Sequence, residues 1–198
     1  MADRTPAPSF HLQLPPGWTT FTVDADLTTQ LDDALAEALP TGIEPALRAE
    51  AIALAQHSIG DIERSGVDFL AVYAEIAGDD APMLLQATLA VGTYRLGEDD
   101  VDAGSMVRAM LGGADAPSDS QVSTTEIAGR RSVRLVDEQP MAIPGAPASL
   151  RQLVVQYFVP LPQTGLVTVL SFQTPNVLLA EELTVLFDVI AEGLELDG

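Results

Sequence analysis

Two histidines, His11 and His57, are the only side chains in this 198-residue sequence whose ordinary titration falls near neutral pH. His57 precedes Asp61 by four residues, a helical spacing that makes an acid–imidazole surface pair. His11 alternates with Gln13 on the polar side of an extended segment. Cysteine is absent, which excludes disulfides, thiolate catalysis, iron–sulfur clusters and cysteine zinc sites. The Gly-x-Ser-x-Gly elbow, the Gly-x-Gly-x-x-Gly turn, the phosphate loop with its lysine and the His-Glu-x-x-His pair are all missing. The densest acidic run, Glu98, Asp99, Asp100 and Asp102, offers oxygens that a hard cation prefers. Consecutive acids point in different directions, however, and they suit the start of a helix, where the dipole favours negative charge. The expectation is a non-enzymatic protein without a metal site or cofactor.

Arginine is the other chemical signal. Arg130, Arg131, Arg134 and Arg151 gather in one short stretch of an acidic chain. On a strand Arg130 and Arg134 share a face with Ser132, whereas Arg131 sides with Val133 and Leu135. Such a cluster can clamp a carboxylate or phosphate through paired N–H donors, or it can be paired internally with Asp137, Glu138 or acids of neighbouring elements. Within that stretch, positions 140–148 carry no charge. Met141 and Ile143 in that stretch must tuck against the protein or meet a partner, because loose in water they would expose apolar surface. Met141, Ile143 and Pro144, with Arg130 and Arg134, are therefore the candidate partner-binding residues.

Charge limits the partners. Nine arginines, no lysine and 29 acids leave a formal net charge of −20. Phosphate-rich surfaces repel such a body, so nucleic acid and anionic membranes are excluded. Yet 47% of residues are hydrophobic and only 19% charged, a composition that supports a packed core rather than a disordered acidic chain. No stretch has the length and apolarity of a signal peptide or a membrane span, so the expected location is cytoplasmic.

These residues need elements to hold them. Residues 1–9 read as a flexible lead, and 10–198 as a single domain. Phe10, Leu12 and Leu14 alternate with His11 and Gln13 as a strand that Pro15-Pro16-Gly17 must stop. Trp18 to Val23 is a second extended piece, with Trp18 as a core plug. Leu27, Leu31, Leu35 and Leu39 mark a helix capped by Asp24 or Asp26, and a longer helix spans about 43–64. Val67 to Ile76 and Met83 to Tyr94 form a hairpin. A short helix is expected over 99–111. Strands 121–127 and 131–136 turn about Ala128-Gly129-Arg130, and strands 150–159 and 166–174 make a third hairpin. Leu179, Leu183, Leu186, Ile190 and Leu194 then define a terminal helix, with Thr174-Pro175 as its cap and first-turn proline. The class is α+β: an antiparallel sheet of six or seven strands built from hairpins and covered by helices, in the manner of an α/β/α sandwich.

Two segments, Phe10-His11-Leu12-Gln13-Leu14-Pro15-Pro16-Gly17-Trp18 and Ser171-Phe172-Gln173-Thr174-Pro175, resemble the opening and the strand-to-helix exit of the PsbP-like fold. That family includes an extrinsic subunit of photosystem II, a nuclear-import factor that binds the GTPase Ran, and chaperones of type VI secretion effectors. The resemblance implies a binding protein without catalytic residues: a protein-interaction module, such as a chaperone or adaptor for a secreted or assembled partner. A small-molecule or cation-binding domain, hydrolysis included, is the alternative, and a homo-oligomer built through an open sheet edge is a third reading.

Overall fold

The computed structural model describes residues 9–23, 27, 29, 30, 33, 34, 67–77, 83–95, 121–142, 149–161 and 164–196. Its centre is a seven-stranded sheet in the order β2-β3-β4-β8-β7-β6-β5. The strands are β2 (Trp18–Thr22), β3 (Phe69–Ala77), β4 (Met83–Arg95), β5 (Gln121–Ile127), β6 (Arg130–Ala142), β7 (Ser149–Leu161) and β8 (Leu166–Thr174). Every neighbouring pair is antiparallel. A separate ribbon pairs β1 (Phe10–Leu12) with β9 (Leu194–Leu196). The α+β class and the antiparallel hairpin architecture are thus as the sequence leads one to expect.

Local chemistry explains the turns. Ala128 and Gly129, at φ 51° and 68°, both take the left-handed conformation that lets a two-residue turn follow the twist of β5 and β6. Gly17, at φ 93°, ends the Pro15-Pro16 break, and a side chain there would strike Tyr73, since a Cβ would lie 2.9 Å from its ring. Trp18 then enters β2 partly buried beside Tyr73, their ring centroids 5.9 Å apart.

Strand alternation divides the sheet into two buried faces. One carries Leu89 and Val91 of β4, Leu170 and Phe172 of β8, and Leu153, Val155, Tyr157 and Val159 of β7. The terminal helix, Ala180–Glu192, covers this face with Phe187, Ile190 and Ala191. Phe187 stacks on Phe172 at 4.6 Å, and Tyr157 meets Phe172 edge-on at 5.9 Å. The opposite face carries Phe21, Leu70 and Ala90, on which Leu27 and Ala34, both in helical backbone, are packed. Val133 and Val167 are buried on that same face.

Three sequence expectations are corrected. The uncharged loop does not start at Pro140, because Pro140, Met141 and Ala142 continue β6 and pair with Arg151, Leu150 and Ser149. β5 begins at Gln121 opposite Val136, so among the described residues β6 is an edge strand beyond that point, which is where a strand tolerates proline. The terminal helix ends sooner than its apolar spacing suggests: Gly193 closes it, and Leu194 continues the stripe as part of β9. Finally, Thr174-Pro175 is not a helix cap. The helix is preceded by a 3-10 turn, Val177–Leu179, and neither has a side-chain cap. Thr174 instead donates to the Gln86 carbonyl at 2.6 Å. Asn176 extends the sheet in place of a strand, its side chain accepting from the Gln86 amide and donating to the Leu84 carbonyl, both at 2.8 Å.

His57, the acidic run 98–102, Ile143, Pro144 and most of the helices expected over 24–39, 43–64 and 99–111 lie outside the described residues.

Candidate functional site

The first site is built on the face of β6 that the terminal helix covers. Even-numbered residues of β6 point to this face, so Arg130, Ser132, Arg134, Val136 and Glu138 follow one another along it. Arg134 is opposite Tyr157 on β7, and the helix lays Asp188 over both. Arg134 donates through Nε and Nη2 to the two Asp188 oxygens at 2.7 and 3.2 Å, and the Tyr157 hydroxyl donates to Oδ1 at 2.5 Å. The Arg134 side chain is 19% exposed and that of Asp188 35%, so the pairing is partly shielded from water. Burial would lower the Arg134 pKa, but its bonds to Asp188 and Tyr157 outweigh that and hold it above its ordinary value. Burial, then the bond to Asp188, pushes the Tyr157 hydroxyl well above the usual tyrosine range. This cluster clamps the helix to the sheet with its strongest donors already committed.

Beside the clamp opens a cleft of about 510 Å³, between β5, β6, β7 and the first turns of the helix. Val136, Leu153 and Ala180 supply its apolar lining. Gln121, Thr184, Glu181 and an Arg151–Glu138 ion pair at 3.0 Å supply the polar part. Arg134 and Arg151 therefore meet in one cavity. Arg130 is absent from its described lining, and the Arg130 Nη1 atom is shielded without a hydrogen-bond partner. On the other face of β6 Asp137 is buried at 5% exposure and accepts from Gln139 at 2.8 Å.

The second site is the end of the β6–β7 hairpin. β8 stops at Thr174 opposite Leu153, and β5 starts opposite Val136, so among the described residues 139–142 and 149–152 form a ribbon paired only to each other. Met141 is half-buried and lines a small cavity with Gln152 and Gln173, whereas its cross-strand neighbour Leu150 is 41% exposed. Pro140 is exposed as well.

A third feature escaped sequence reading. On the outer side of the terminal helix and its preceding turn, Leu178, Val185 and Val189 are 91%, 64% and 61% exposed, with Leu186 at their flank. The signal was present, since Val185 and Val189 lie one turn apart and off the stripe of core leucines. Among the described residues no three acids or histidines are grouped to hold a metal ion, and no helix is long and apolar enough to cross a membrane. His11 is exposed on β1 opposite Glu195.

No family model matches the sequence, and no curated protein does. Among solved structures, the chain is similar to LpqN, a protein involved in cell envelope biogenesis of Mycobacterium tuberculosis. The TM-score is 0.51 at 13% sequence identity, covering 100% of this chain and 88% of that chain. At that identity the likeness defines a shared fold.

Proposed function

We propose that the chain is a non-enzymatic protein-interaction module, acting in the cytoplasm as a chaperone or adaptor for a partner that is secreted or assembled into a larger structure. The observation that carries this reading is the projecting β6–β7 ribbon. It places Pro140 and Leu150 beyond the last residues of β8 and leads into the uncharged segment holding Ile143 and Pro144. Apolar side chains exposed at a hairpin end are of the kind that contact surfaces draw on. The PsbP-like resemblance supports a binding role. LpqN itself is involved in cell envelope biogenesis, a role compatible with a partner of that kind. A photo-crosslinking residue at position 150, in cells that naturally make the protein, is expected to capture one discrete partner, and the same residue at the exposed Thr20 none. Equal labelling at both positions, or none at either, would end this reading.

The cleft favours a second reading, a small ligand held by Arg151, Glu138 and Gln121 over the Val136–Leu153 floor. Arg134, already engaged by Asp188, would set the helix in place rather than grip the ligand. A metabolite that raises the melting temperature of the wild type but not of Arg151→Ala is the result that would favour it.

A further inference from the structure

We infer that the outer face of the terminal helix docks a basic amphipathic helix of a partner protein. The inference rests on the protein-interaction reading but concerns a different surface from the hairpin. Helical spacing brings Val185 and Val189 together on the side away from the core, and Leu178 extends the patch toward the helix start. Their exposures of 64%, 61% and 91% leave them uncovered, while Phe187, Ile190 and Ala191 hold the opposite side in the core. A helix that needs only to cover the sheet gains nothing from three large apolar residues in water.

Charge decides the occupant. The patch is bordered by Glu181 and Glu182 in the first turn and by Glu192 in the last, all exposed, and the last turn holds no basic residue. No arginine or lysine follows Arg151 anywhere in the chain. A second copy would therefore bring acids against acids on bodies of net charge −20, and an anionic membrane would be repelled in the same way. A partner helix with leucine-like residues at i, i+3, i+4 and i+7, flanked by lysine or arginine, satisfies both the apolar patch and its acidic border.

The test uses the full chain and three labelled synthetic peptides of about 18 residues, long enough for helix formation on a surface. One has leucine and lysine at helical spacing, one scrambles that order, and one replaces lysine by glutamate. Fluorescence anisotropy is expected to show binding of the first alone. Its affinity should fall about tenfold or more in Val185→Gln/Val189→Gln, a change at exposed sites that circular dichroism should show to be folded. Glu181→Gln/Glu182→Gln should weaken binding and flatten its dependence on salt. Equal binding of the scrambled or the glutamate peptide, indifference to the valine substitutions, or no binding at all overturns the inference. Sedimentation showing a dimer that Val185→Gln/Val189→Gln dissociates also overturns it, in favour of a second copy. Leu150→Ser should leave peptide binding unchanged, so a failed hairpin crosslink and a failed helix titration are separate results.

Discussion

Asp188 accepts three hydrogen bonds from two side chains of the sheet, so removing its carboxylate strands three donor groups at once. Asp188→Ala is expected to cost about 2 kcal/mol, seen as a lower urea midpoint, because Arg134 stays largely shielded without its counter-charge. Tyr157→Phe removes one donor and leaves the ion pair, so about 1 kcal/mol is expected. The tyrosine also carries a pH signature. Its pKa is raised in the fold, so above pH about 10 the unfolded chain releases a proton that the folded chain keeps. Stability from this group is complete below that pH and declines as pH rises. Tyr73, raised chiefly by its hydrogen bond to Glu75, adds to the same decline. Urea midpoints from about pH 8 to about pH 11 should fall less steeply in Tyr157→Phe than in the wild type. The arginine cluster itself was legible in the sequence. Its partners were not, because Asp188 lies 54 residues from Arg134 and 31 from Tyr157, and no local pattern joins them.

Elements read well wherever a short-range rule governs them. Alternation and turn residues located the hairpins, and Ala128-Gly129 marked its turn within a residue. Failures came where a partner strand decides. β6 runs on through Pro140 because β7 pairs with it and no described residue on its other side asks for an amide, and β9 exists because β1 lies beside it. The helix was visible by its period, yet which apolar residues it buries and which it shows required the sheet. Phe187, fully buried and stacked on Phe172, is the main anchor of that packing. Phe187→Ala is expected to cost about 3 to 5 kcal/mol, read as a large drop in melting temperature, whereas Val189→Ala on the opposite side should stay within about 0.5 kcal/mol. At the other end of the fold Gly17→Ala should destabilise by about 1 to 2 kcal/mol in a denaturant titration, since it combines a left-handed φ with a clash against Tyr73.

At the scale of the molecule, both sheet faces are packed, the strongest ionic cluster is committed to holding the helix, and apolar side chains reach solvent at a hairpin end and on an outer helix face. On the proposed reading those exposed side chains are the contact surface, and the candidate residues Met141 and Arg134 have different surroundings. Met141 leans on the sheet, Arg134 is engaged by Asp188, and Leu150 beside Met141 is the side chain left facing outward. Calorimetric titration of the crosslinked partner, once purified, into the wild-type chain and into Leu150→Ser tests this most directly. The account predicts a saturable complex with the wild type that weakens by about tenfold in Leu150→Ser, at unchanged melting temperature. Equal affinity for the two chains, or heat only from a small ligand in the Arg151–Glu138 cleft, would contradict it.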